Sequence, residues 1–187
     1  MERKDMEFAD TLALLEAYQP SHPEDAQFQQ DIMAFVRKYP EDFHRRTTVE
    51  GHLTASAWIV NPDRTRFLLT HHAKLNRWLQ LGGHIEEDAT LQVAAMREAA
   101  EESGLSSIRL VSTAVFDLDI HTIPARKQDA EHLHLDVRFL IEADDEEAWE
   151  VSEESNALAW VSADQIRKEV ADVSMLRMLD KTPGKNP

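Results

Sequence analysis

Between two glycine breaks, the stretch 82–105 (GGHIEEDATLQVAAMREAAEESGL) carries Glu98, Glu101 and Glu102 on one short segment. Their i, i+3, i+4 spacing lines three carboxylates along one face if the segment is helical. Like charges so placed repel by about a few tenths of a kcal/mol per pair, and Arg97 is the only Lys or Arg in the stretch. A solvated acidic face is one explanation. A hard divalent cation is a more economical one, because Mg²⁺ and Mn²⁺ seek carboxylate and water oxygens. The pattern predicts a helix over about residues 90–103, started by Asp88 or Thr90 as N-cap and stopped by Gly104.

Around this helix the chain alternates strand and helix signals. Phe8, Leu12, Leu15 and Tyr18 fit one face of a helix over 5–18, and Phe28, Ile32 and Phe35 one over 24–38. Pro20, Pro23 and Pro40 punctuate that pair. Strands are expected at 52–60 and 66–70 across the turn Asn61-Pro62-Asp63, with a short apolar run at 78–81. Two long strands, 108–123 and 131–141, and a short one at Trp160-Val161 follow, then helices at 163–170 and 173–180. Trp58 and Trp160 read as core. The order implies a mixed sheet between helices, divided as a helical N-terminal extension (1–45), a main domain (46–181) and a flexible tail (182–187).

The net charge of −15 argues against a nucleic-acid binder, which needs a basic footprint. With no cysteine, thiolate metal sites and a cysteine nucleophile are excluded. No apolar stretch reaches membrane-spanning length and none follows the first residues as a leader, so a cytoplasmic protein without membrane partners is the expectation.

The two long strands hold a second polar constellation. Phe116, Leu118 and Ile120 alternate with Asp117, Asp119 and His121; Leu133, Leu135, Val137 and Phe139 alternate with His132, His134, Asp136 and Arg138. Each strand therefore has one apolar and one ionisable face. A hairpin that shares one core opposes His121 to His134, Asp119 to Asp136 and Asp117 to Arg138. Facing aspartates need a proton, a metal or a cation between them. His121, Glu131, His134 and Asp136 are thus candidates for a further metal, a phosphate contact or acid/base work, and His84 joins them if the glycine loop lies over this face. The alternative is a plain solvent-facing sheet. Upstream, His71, His72, Lys74, Arg77 and Trp78 form a basic and aromatic patch suited to a phosphate or a base. Arg45 and Arg46 are expected to pair with the abundant acids.

Residues 83–105 resemble the signature of the Nudix hydrolases, G-x5-E-x7-R-E-U-x-E-E-x-G-U with U a bulky aliphatic. Gly83, Arg97, Glu98, Glu101, Glu102, Gly104 and Leu105 occupy their places. The runs TASAWIV, LTHHAKLNRWLQLGGH, FDLDIHTIPA and EHLHLDVRFL are similar to a bacterial subgroup with a helical N-terminal extension. Two positions depart. Ala99 replaces a larger aliphatic, and Ala89 stands where the family has the glutamate that supports the arginine and the metal shell. Glu86, Glu87 and Asp88 are near enough to substitute.

The resemblance implies the α/β/α sandwich of the family and hydrolysis of a nucleoside diphosphate linked to another moiety. It implies Mg²⁺ or Mn²⁺ held by Glu98, Glu101 and Glu102 with the Gly83 carbonyl, and Arg97 orienting a glutamate. Glu153 or Glu154, Glu154 by preference, would act as general base, and His84, His121, Glu131, His134, Asp136 and Arg77 would meet the substrate. The family often dimerises, so a homodimer is compatible. A second reading keeps the fold but makes the protein a weak or inactive nucleotide-binding module, with Ala89 as its sign. Isoprenoid diphosphate isomerisation, also known on this fold, needs a cysteine the chain lacks.

Overall fold

A computed structural model describes residues 7–125, 130–152, 155–170 and 172–184. Helices α1 (Phe8–Glu16) and α2 (Pro23–Lys38) precede β1 (Gly51–Val60), β2 (Arg66–His72), β3 (Arg77–Leu79) and β4 (Leu81–His84). Then come α3 (Leu91–Ser103), β5 (Arg109–Leu110), β6 (Asp117–Ile123), β7 (His132–Glu142), β8 (Ser155–Ser162), α4 (Ala163–Gln165) and α5 (Val173–Lys181). A π-helical turn, Ile166–Val170, continues α4. Residues 5 and 6 of the expected first helix and 185–187 of the expected tail lie outside the described residues.

The strands form one mixed sheet. Its central strand β1 runs parallel to β7 from Gly51↔Leu133 to Val60↔Glu142, while β2 pairs antiparallel with β8. On its other side β1 takes β2 at Ile59 and Val60 and β4 at residues 54–57. The hairpin of β6 and β7 has the expected register, Asp117↔Arg138, Asp119↔Asp136 and His121↔His134. Any one-residue slip would have turned four ionisable side chains into the core.

The expected strand 108–123 is corrected: it splits into β5 and β6. Both pair with β7, but residues 111–116 face only Phe139 and Leu140 there. Six residues against two must loop out, and the Ser112 hydroxyl stabilises the loop by accepting from the Ala114 N–H at 3.1 Å. The last strand is longer than Trp160-Val161, because β8 follows β2 from His72 back to Arg66.

Helices cover both faces. On one, Leu53, Ala55, Leu118, Leu135 and Val137 pack with Leu91, Ala94 and Ala95 of α3 and with Leu15, Ile32 and Phe35 of the N-terminal helices. Ala99 and Leu105 continue that layer under Ala57 and Ile59; the small residue at 99 is fully buried, where a larger aliphatic would crowd the sheet. On the other face, Trp58, Val60 and Leu140 pack under Ile166, Met175 and Met178. This is the α/β/α arrangement, with two added helices. No helix among the described residues is long and apolar enough to cross a membrane.

One strand explains where a cleft can form. Along β1 the side chains sharing a face with Trp58 and Val60 are His52, Thr54 and Ser56. That face is apolar where α5 covers it and polar where α5 ends.

Candidate active site

The helix α3 begins at Thr90, whose hydroxyl accepts from the Val93 N–H at 3.2 Å. It ends at Gly104 in the left-handed conformation, φ 69°, with its N–H on the Ala100 carbonyl. Between these caps Glu98, Glu101 and Glu102 project to a cleft of about 400 Å³. The β4 strand supplies the adjoining backbone. The Gly82 N–H donates to Glu102 Oε2 at 3.3 Å. A Cβ on Gly83 would stand 2.7 Å from Glu98 Oε2, so only glycine lets that carboxylate lie against the strand.

Arg97 organises the cluster. Its Nη1 donates to Glu98 at 2.9 Å and to Glu101 at 3.0 Å, and its Nη2 to the His84 carbonyl at 2.8 Å. The remaining donors go to Asp88, by Nε to both oxygens at 3.2 Å and by Nη2 at 2.8 Å. Asp88 is buried whereas Ala89 faces outward. The support that the signature glutamate would give the arginine is therefore supplied one residue earlier. The Asp88 hydrogen bonds raise the guanidinium pKa further above its already high ordinary value, against the opposing effect of burial.

The cleft floor is the polar face of the sheet. Asp136 accepts from Thr54 at 2.9 Å, Ser56 at 2.8 Å and Gln80 at 3.3 Å. The cation required between the facing aspartates is Arg138, buried and bonded to Asp136 at 2.7 Å and to Asp117 and Asp119 at 3.0 Å. Arg177 of α5 adds bonds to Asp117 and Asp119, and Lys181 joins Asp117 to Asp25 of α2. Burial would push the Asp119 carboxyl up. The hydrogen bond with His121 and the Arg138 and Arg177 charges hold it well below the usual range instead. These carboxylates and cations are tied up in structure, and of them only Asp136 lines the cleft.

Of the residues picked from sequence, His84, His121, His134 and Asp136 meet the three glutamates and Arg97 at this cleft. Glu131 is exposed and is not among the cleft-lining residues. Arg77 is directed to Asp172, 3.9 Å away, and is also outside the lining. Glu153 and Glu154 lie outside the described residues. His71 packs edge-on to Trp78, and Arg45 pairs with Asp42 at 3.1 Å. Trp58 is fully buried and Trp160 partly so.

Three contributors were not among the candidate site residues. Arg177 comes from a helix far along the chain. His52 and His132 reach the site through β1 and β7, where His52↔His134 is one step of a long parallel register. The available signs were the polar alternation His52, Thr54, Ser56 against Leu53, Ala55, Ala57 and the place of His132 on the ionisable face of its strand. A second hollow, of about 490 Å³, adjoins the cleft and shares His84 and His134 with it. Burial and the neighbouring His84 and His132 rings push the His52 imidazole down to about 3. Burial and the adjacent histidines push His134 down to about 2.

Comparison with known proteins bears on this geometry. A family model described as the NUDIX domain matches residues 51–181. A curated protein of Lactococcus lactis subsp. cremoris (strain MG1363), named as a probable DHNTP pyrophosphohydrolase, is 30% identical over 98 residues, 51% of this chain and 57% of that protein. The match thus spans little more than half of the relative's length. Among solved structures, a NUDIX-family hydrolase from Clostridium perfringens is 26% identical with a TM-score of 0.50, covering 69% of this chain and 96% of the other. The E. coli dihydroneopterin triphosphate pyrophosphohydrolase shares the fold at a TM-score of 0.54 and 18% identity, over 69% of this chain and 92% of its own. Because the matched residues run from β1 to the end of α5 and take in the whole glutamate helix, the chain belongs to the Nudix family.

Proposed function

We propose that the protein is a divalent-metal-dependent hydrolase that cleaves the diphosphate linkage of a nucleoside diphosphate joined to another group. The observation that carries this reading is the convergence of Glu98, Glu101 and Glu102 with the Gly82-Gly83 backbone on one cleft. An all-oxygen donor set on a rigid helix and strand fits a hard ion. Glu98, Glu101, Glu102 and the Gly83 carbonyl would hold Mg²⁺ or Mn²⁺. Bound there, such an ion supplies electrostatic stabilisation of charge on the transferring phosphoryl oxygens.

The chain's own residues divide the remaining work. Arg97 is a positioning residue: it fixes Glu98 and Glu101 in one geometry while Asp88 fixes Arg97. His84, His121 and His134 stand on the sheet side of the cleft, suited to hydrogen-bonding substrate oxygens. Glu154 is the candidate general base on sequence grounds. The likeness to the Lactococcus protein makes a pterin triphosphate of the DHNTP type a substrate to test beside nucleotide sugars, dinucleoside polyphosphates and ADP-ribose.

The test is a panel of these compounds with Mg²⁺ or Mn²⁺, read as released phosphate or pyrophosphate and monophosphate product. Replacing Glu101 and Glu102 together with Gln is expected to lower kcat at least about 100-fold, beyond the range seen when only an outer-shell partner is lost. Turnover at the wild-type rate in that variant would remove the glutamates from the mechanism.

A further inference from the structure

Five imidazoles crowd the sheet end of the cleft. The His52 ring lies 4.8 Å from that of His134, 5.1 Å from His84 and 5.2 Å from His132, and His121 stands 5.4 Å from His134. Clustered rings can be mere packing, but the nitrogens here are unusual. His52 is only 2% exposed, and neither of its ring nitrogens has a hydrogen-bond partner among the described residues. His134 Nε2 is buried and unpartnered in the same way. Buried polar atoms are nearly always satisfied, so two rings aimed at one point without partners call for a ligand.

We propose that His52, His132 and His134 bind a divalent transition metal of the zinc type, in addition to the carboxylate cluster of α3. One nitrogen from each ring lies within 4.8 Å of the other two. Around a tetrahedral ion with bonds of about 2.1 Å the nitrogens stand roughly 3.4 Å apart, which small side-chain torsions reach. His132 is already turned for this role. Its Nδ1 lies 2.9 Å from the Ala130 carbonyl oxygen, which can only accept, so Nδ1 carries the proton and Nε2 keeps its lone pair. Metal-bound histidines habitually give their other N–H to such a carbonyl.

The donor chemistry selects the ion. Imidazole suits Zn²⁺, Cu²⁺, Ni²⁺ and Co²⁺, while Mg²⁺ prefers oxygen and water. Asp136, a metal candidate from its sequence position, is committed to Arg138, Thr54 and Ser56. With three protein ligands, a fourth position faces the 490 Å³ hollow, whose lining also includes Arg46 and Lys74 and, among the described residues, no carboxylate. Those cations favour an anionic fourth ligand over a bare aquo ion. The site does not depend on the hydrolase reading, and it is tested by binding rather than turnover.

The full chain, stripped by chelator and kept in millimolar Mg²⁺ to fill the carboxylate site, is titrated with Zn²⁺ by calorimetry and with Co²⁺ by visible absorption. One Zn²⁺ per chain and the intense band of four-coordinate Co²⁺ are expected. His132→Gln, at a half-exposed position, should weaken Zn²⁺ at least tenfold and abolish the band, while Glu101→Gln/Glu102→Gln should leave both as in wild type. Overturning results are a wild-type protein that takes no Zn²⁺ beyond competition with Mg²⁺, or a folded His132→Gln protein with unchanged affinity and band.

Discussion

Ala89 is where this chain departs from its family's sequence, and Asp88, one residue earlier, holds Arg97 instead. The two Asp88 oxygens hold three Arg97 contacts, and the same guanidinium fixes Glu98 and Glu101. Charge-assisted hydrogen bonds of this kind are worth about 1.5–3 kcal/mol each when a partner is lost. Asp88→Ala should therefore lower kcat by about 10–100-fold, the usual cost of losing a partner behind a metal ligand. Asp88→Glu should recover part of that loss. Ala89→Glu alone should change little, because position 89 faces out toward Glu7 and Asp10 near α1. Steady-state kinetics of the three variants decide it; equal loss in Asp88→Ala and Asp88→Glu would reduce Asp88 to a packing role. From sequence, the three glutamates were legible because helical spacing alone brings them together. Asp88 was legible only as one of three adjacent acids, since the turn that buries one and exposes its neighbours depends on β4 and α3 already being docked.

At the scale of elements, the β6–β7 hairpin was the most readable feature of the sheet. Apolar and ionisable residues alternate in both strands, and a single register satisfies both faces. What the alternation could not supply was the source of compensating charge. Arg138 is within the hairpin, but Arg177 and Lys181 come from α5 and Asp25 from α2, brought in by tertiary packing. Nor could it supply the parallel pairing of β1 with β7, on which the meeting of His52 with His134 depends. The loop at 111–116 was hidden because its residues continue an acceptable strand pattern. The buried network makes a definite energetic claim. Removing Arg138 leaves Asp117, Asp119 and Asp136 facing one another with less compensation, and breaking such a buried arrangement from one side costs about 3–5 kcal/mol. Arg138→Met should lower the urea-unfolding free energy by that amount. A loss under about 1 kcal/mol would mean that Arg177 and Lys181 suffice, and that Arg138 is not the cation on which the facing aspartates rely.

For the whole molecule, the N-terminal helices are tied into the sheet domain by charge as well as by the shared apolar layer. Leu15, Ile32 and Val36 are fully buried with the residues of β1 and β7. Asp25 of α2 is buried too, with Lys181 of α5 at 2.6 Å and the Ser21 and His22 N–H groups at 3.1 and 3.2 Å. Burial pushes the Asp25 carboxyl up, but the bonds from Lys181 and from those backbone groups outweigh it and hold the pKa below the ordinary value. A carboxyl depressed by folding stabilises the folded state at any pH above its unfolded pKa, near 4. That contribution is lost as the pH falls through the depressed folded value, because the unfolded chain then binds the proton first. Buried His52 and His134 act in the same sense over a higher range, between about 6.5 and their lowered values. They are common to wild type and Asp25→Asn, so they cancel in a comparison of the two. Urea unfolding of both proteins from pH 7 to pH 3 should therefore give a stability difference that is constant down to about pH 5 and shrinks below pH 4. A difference that stays flat to pH 3 would show that the Asp25–Lys181 link between α2 and α5 contributes no charge-dependent stability.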